Sequence, residues 1–182
     1  MAADRPWRPS RLLAKSARVG AVLFCLLLTG CLAELGSPAP SYRAPGAVAA
    51  VDRIHVIAEA HAGTGADRFA LARLQSFTAT ELRVSGKFKT VVEGLPGSEN
   101  NTGNHGGRTA KVVITAYVAG KDVPATEQKF IRGQMHLLES PDIIATYGIE
   151  WQASTGPFVN SSARAIEQAF AKQAAKAVLG FE

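Results

Sequence analysis

Residues 54–92 read IHVIAEAHAGTGADRFALARLQSFTATELRVSGKFKTVV, and this run decides the fold. Ile54, Val56 and Ala58 alternate with His55 and Ile57 in a short stretch rich in branched side chains, the pattern of a strand partly buried on both faces. Two glycines and a threonine follow between His61 and Ala66. From Asp67 onward the period changes, and Ala70, Leu71, Leu74, Phe77, Thr78 and Leu82 recur at helical spacing. Asp67 suits the N-cap, because its carboxylate accepts hydrogen bonds from orphan amides, and Gly86 suits the left-handed stop after Ser85. Lys87 to Val92 return to a strand, with Phe88, Thr90 and Val92 on one face. The unit is strand, helix, strand.

Working outward towards the C-terminus, residues 95–109 are the most turn-rich stretch and predict a loop. Val112, Ile114, Ala116 and Val118 then alternate with Val113, Thr115 and Tyr117 in a clear strand. Ile131, Gly133, Met135 and Leu137 share a face, and Ser140-Pro141-Asp142 turn into Ile143, Ala145, Tyr147, Ile149 and Trp151, which predicts a hairpin. Asn160 or Ser161 caps a final helix with Ile166, Phe170, Ala174, Ala177 and Phe181 as its apolar stripe, leaving Arg164, Glu167, Lys172 and Lys176 outward. The expected fold is α+β: a two-layer sandwich of a mostly antiparallel five-stranded sheet with two helices on one face.

Towards the N-terminus, Arg5, Arg8, Arg11, Lys15 and Arg18 precede an apolar run from Val19 to Leu28 that is short for a spanning helix. The run closes on Leu28-Thr29-Gly30-Cys31, which resembles the lipobox of bacterial lipoproteins. That resemblance implies a signal peptide over residues 1–30, with Leu28, Thr29 and Gly30 recognised by the signal peptidase and lipid attached to Cys31. It further implies a periplasm-facing protein, and Leu32 in place of Asp after the lipidated cysteine points to the outer membrane. Residues 31–50, rich in Ala, Pro, Gly and Ser, predict a flexible tether, and residues 51–182 the folded periplasmic domain.

The leader also explains the charge. Five of the 20 Lys+Arg and one of the 15 Asp+Glu lie before Cys31, so the remainder carries only +1. Nothing in that balance supports salt-dependent phosphate binding, and nucleic acid is not an expected partner. Cys25 lies in the leader and Cys31 is taken by lipid, which leaves no thiol for a disulfide or metal.

No local constellation announces catalysis. His55, His61, His105 and His136 lack the close helical pairing of a zinc protease, and no metal or other cofactor is expected. His105, with Asn104 and Arg108, is read as a solvated loop histidine, and His55 and His136 as strand histidines able to meet across a sheet. Gly103, Gly106 and Gly107 precede a strand, whereas a phosphate cradle needs helix amides. Asp67 and Glu81 stand about four turns apart, too far for a glycosidase pair. Ser161-Ser162 have no evident base. Tyr117, Tyr147 and Trp151 are the remaining candidates: either they line an open sheet face that receives a partner or an acyl chain, or they pack beneath the helices.

Phe69-Ala70-Leu71, Leu74, Glu81-Leu82, Ser85-Gly86-Lys87-Phe88 and Val91-Val92 together resemble the helix-to-strand segment of curli-assembly-type lipoprotein domains and related uncharacterised lipoprotein families. The resemblance implies a small periplasmic α/β domain. The chain lacks the long segments of a membrane barrel, so no secretion pore is implied. Another analogue is the lipoprotein that plugs the lipopolysaccharide translocon, also two helices on a sheet, a likeness of fold only. The leading expectation is a non-enzymatic, lipid-anchored module that binds an envelope protein or polymer. A lipid or glycolipid carrier is the first alternative and a hydrolase with a dispersed site the second.

Overall fold

The structure, a computed structural model, describes residues 39–45, 50–95, 107–119, 128–139, 142–153 and 162–181. Leu28, Thr29, Gly30 and Cys31, most of the predicted loop, and the Asn160 and Ser161 caps lie outside the described residues.

Six strands and two helices are described: β1 Pro40–Arg43, β2 Arg53–Ala60, α1 Arg68–Val84, β3 Thr90–Glu93, β4 Arg108–Val118, β5 Phe130–Glu139, β6 Asp142–Gln152 and α2 Ala163–Phe181. The class is α+β as expected, with a six-stranded mixed sheet in the order β1-β6-β5-β4-β2-β3. β2 runs parallel to β3 and to β4, while the β4–β5, β5–β6 and β1–β6 pairs are antiparallel. The sixth strand, β1, comes from the stretch predicted as tether. Pro40 is tolerated there because β1 is an edge strand and Pro40 is its first residue, where a missing amide costs no ladder bond. β4 also starts earlier than predicted, at Arg108.

The quoted run folds as its periods dictate up to Gly86, but the second strand begins at Thr90 and not at Lys87, and Phe88 is buried ahead of it. The Ala70 amide donates to Asp67 Oδ1 at 2.6 Å, capping α1, and Gly86 takes φ +67° just after Ser85 ends it. Gln75 stitches the helix to the sheet, accepting from the Ala58 amide at 3.2 Å and donating to the Gly94 carbonyl at 3.1 Å. The second helix is capped by Ser162, whose Oγ accepts from the Ala165 amide at 3.3 Å.

Ile54, Val56 and Ala58 of β2, Ala110, Val112 and Ile114 of β4, Ile131, Met135 and Leu137 of β5, and Ala145, Tyr147 and Ile149 of β6 share one core with both helices. Two bulges edit this face. Between Ile114 and Ala116 the β4 register slips by one, so Tyr117 stands opposite core residue Ile131 instead of following Val113 to the far side. In β6 the slip falls between Ala145 and Ile143, and Ile143 is turned out to solvent.

The helices run side by side in the same direction, each returning from a strand of the same sense. Arg73 meets Glu167 near their starts, and Lys87 Nζ donates to the Leu179 carbonyl at 3.1 Å near their ends. β1 begins opposite Tyr147 and ends opposite Ala145, so the chain enters the sheet from the end where both helices start.

Candidate functional site

The bulge in β4 carries Tyr117 beneath α2, and a polar cluster is built around it. The phenolic hydroxyl donates to Glu167 Oε1 at 2.6 Å. Arg73 reaches the same carboxylate from α1 in a fork, Nε to Oε2 at 2.7 Å and Nη2 to Oε1 at 2.8 Å. The Glu167 side chain is fully buried, whereas that of Arg73 is 42% exposed. The bidentate contact holds the Arg73 guanidinium firmly protonated. Burial, and then the hydrogen bond to Glu167, push the Tyr117 phenol well above its usual range, which keeps it a neutral donor.

Glu167 was expected to face solvent, and the structure corrects this. It sits one position past the Ile166 stripe, at the head of a second row, Glu167, Ala171, Ala175 and Val178, that is also buried. That row of small residues was the signal of a second packed face. A carboxylate can lie there only because Arg73 and Tyr117 supply three donated hydrogen bonds.

Arg73 leads from this cluster to the surface. On its outer side, Phe69, Ala72, Ser76 and Phe77 of α1 and Arg164 of α2 line a groove with it of about 410 Å³. A second hollow of about 460 Å³ shares Phe77 and continues along the helix seam past Glu81 and Lys172. Phe69 is 58% exposed. The Arg68 guanidinium lies 4.7 Å from the centre of the Phe69 ring, and that of Arg164 5.8 Å from the centre of the Phe77 ring. Neither arginine has a carboxylate partner among the described residues. In the sequence Phe69 belongs to the family-like segment and Phe77 to a core stripe; an arginine from each helix beside an aromatic, Arg68 with Phe69 and Arg164 with Phe77, is seen only once the helices are placed together.

The aromatic residues proposed as an open face lie on the helix-covered side. Tyr117 and Tyr147 are buried, and Trp151 packs partly buried against the same core. A carrier cavity behind Tyr147, Ile149 and Trp151 would need the helices to leave.

The opposite side of the sheet carries no helix among the described residues. There Lys111 pairs with Glu59 at 2.9 Å and stands opposite His136, whose Nδ1 lies 3.0 Å from Thr146 Oγ1. Burial, then the Lys111 charge, hold the His136 imidazole below its usual range, with Glu59 opposing. His55 and His136 do not pair, because β4 runs between their strands and sets Thr109 opposite His55. Arg132 and Glu150 form a forked exposed pair at 2.9 and 3.0 Å. Among the described residues no group of three or more His, Cys, Asp or Glu is placed to hold a metal ion, and no helix is long and apolar enough to cross a membrane.

No protein-family model matches the chain, and no curated protein matches it. Among solved structures it is similar to the PelC dodecamer from Paraburkholderia phytofirmans, at 14% identity and a TM-score of 0.48, over 73% of this chain and 93% of that one. It is also similar to a Xanthomonas campestris protein of the DUF330 family, at 13% identity and a TM-score of 0.47, over 80% of this chain and 89% of that one.

Proposed function

We propose that this chain is a lipid-anchored, non-enzymatic binding module of the bacterial envelope, held through Cys31 at the outer membrane and facing the periplasm, where it helps to assemble or support an envelope complex. The observation that carries the reading is Leu28-Thr29-Gly30-Cys31 behind a basic, then apolar, N-terminus. The fold gives it a geometric counterpart. Only eight residues, Leu32 to Ala39, separate Cys31 from β1, so the folded domain starts no more than about 30 Å of extended chain from the lipid. Stable anchoring by this route takes more than one acyl chain, which the lipobox pattern supplies. The likeness of residues 69–92 to curli-assembly-type lipoprotein domains supports an assembly role over a catalytic one.

Intact-mass measurement of protein purified from detergent-solubilised envelopes tests the anchor. The expected product begins at Cys31 and carries acyl chains, and Cys31→Ser abolishes both the acylation and the cleavage. Recovery of an unmodified, uncleaved chain from wild-type cells would overturn the reading. Affinity capture of the lipidated protein from outer-membrane fractions, with Cys31→Ser as the control, then identifies the partner.

A further inference from the structure

β1 runs into the sheet from the end at which both helices start, and on the anchored reading the lipid precedes β1 in the chain. Pro40 enters β1 opposite Tyr147, running away from the end at which β6 finishes and α1 and α2 begin. From Tyr147 to that end is about five residues of strand, roughly 17 Å, which lies within the reach of the eight-residue leash. That end carries the groove formed by Phe69, Arg73, Phe77 and Arg164, with Arg68 at its rim. Asp67, the nearby carboxylate, is turned into the Ala70 amide, and Glu167 is buried behind Arg73. Arg68 and Arg164 are exposed and free of carboxylate partners among the described residues, and Phe69, beside Arg68, stands out in solvent.

We infer that this arginine and phenylalanine surface docks onto the anionic headgroups of the bilayer that holds Cys31, so that the domain lies against the membrane with its helix starts down. The inference rests on the anchored reading above. It is supported by charge complementarity, by an exposed aromatic of the kind that settles at a headgroup boundary, and by the direction in which β1 enters the sheet, with a leash long enough to reach that end. The opposite end is basic too, with Lys89 engaged by Asp52 at 2.6 Å, Arg83 by Glu93 at 3.0 Å, Lys87 by the Leu179 carbonyl at 3.1 Å and Arg43 over the Phe181 ring at 4.8 Å, so it is the direction of β1 that selects between the two ends.

The test uses the mature lipidated protein reconstituted into vesicles. With Cys31 blocked by lipid, a single added thiol takes a fluorophore, placed by Ala72→Cys in the groove or by Lys89→Cys at the far end. Energy transfer to a headgroup-labelled lipid is then read in phosphatidylcholine vesicles with and without phosphatidylglycerol. Expected is strong transfer from the Ala72→Cys label in the anionic vesicles and weak transfer from the Lys89→Cys label. The difference should collapse in high salt and in the doubly substituted Arg68→Glu, Arg164→Glu protein, whose apparent affinity for the anionic surface should fall about tenfold or more. Both arginines are exposed, so circular dichroism should show an unchanged fold. Equal transfer from the two labels, or transfer indifferent to lipid charge and to the double substitution while the protein remains anchored, would overturn the inference. If intact mass shows no acyl chain on Cys31, the anchored reading fails separately. Flotation of the same protein then judges the surface, and no preference for anionic over neutral vesicles would sink that as well.

Discussion

Tyr117 donates its hydroxyl to Glu167 across 2.6 Å, and it reaches that carboxylate because β4 gains one residue after Ile114. A regular strand would have put Tyr117 on the face of Val113. The bulge therefore decides whether α2 can carry a buried acid at all, and through Glu167 it fixes the position of Arg73 at the head of the helix groove.

The three residues of this cluster should not be equivalent. Arg73→Ala leaves a buried carboxylate with the Tyr117 hydroxyl as its one remaining side-chain donor, and should cost about 3 kcal/mol or more. Tyr117→Phe removes one hydrogen bond to a charged acceptor, about 1.5–3 kcal/mol. Glu167→Gln keeps the shape and lets the partly exposed Arg73 turn to water, so it should cost less than Arg73→Ala. Urea denaturation of the three variants measures the order; a larger loss for Glu167→Gln than for Arg73→Ala would show that the carboxylate is not the group that needs its partner.

Gly133 should tolerate no side chain. A Cβ there would stand 2.7 Å from the Val113 carbonyl oxygen and 3.1 Å from Phe170 Cζ, and the first of these is backbone in the centre of the sheet. Gly133→Ala should therefore destabilise by about 1–3 kcal/mol or more, despite the usual gain from replacing glycine in a strand. Thermal unfolding checks it. Gly148→Ala, at a position with open space around the added carbon, serves as the control and should be close to neutral.

Local periodicity made most of this fold legible. The run from Ile54 to Val92 shows its strand, cap, helix and stop directly, because each is set by neighbours within a few residues. What stayed hidden depends on partners distant in sequence. Alternation through Val112 to Val118 cannot reveal a bulge, and by period alone Tyr117 falls on the face of Val113. For the same reason the period alone puts Ile143 on the face of Ala145. Pro40 and its neighbours have no period, and β1 exists because β6 offers an open edge. Glu167 looks like any charged residue beside an apolar stripe until Arg73, 94 positions away, is placed against it. Of the candidate residues, the lipobox-like Leu28-Thr29-Gly30-Cys31 is a local motif that sequence alone displays, whereas the groove requires knowing that α1 and α2 lie side by side.

His136 should make the fold sensitive to mild acid. Its imidazole is held below the ordinary histidine value by burial and by Lys111, so the unfolded chain takes up a proton more readily than the folded one. Stability from this site is thus fully present above about pH 6.5 and is lost as pH falls through the depressed folded value. Denaturant midpoints should decline as the pH is lowered from about 7 towards 5, and His136→Gln should flatten that decline. An unchanged slope in the variant would assign the acid sensitivity to other groups.

β3 is the outermost strand on its side of the sheet, and an open strand edge invites pairing with another chain. Arg83 guards it: one guanidinium nitrogen donates to the Val91 carbonyl at 3.3 Å and to Glu93 Oε1 at 3.0 Å, laying a charged side chain across the four-residue strand. As an exposed ion pair it should add little to stability, so Arg83→Ala should shift the unfolding free energy by less than about 1 kcal/mol. Its contribution should appear instead in solution behaviour. Removing the arginine frees the Val91 carbonyl and leaves Val91 and Val92 beside an unguarded edge, and light scattering should report concentration-dependent self-association that Arg83→Lys suppresses. A variant that stays monodisperse would mean that the shortness of β3 is protection enough.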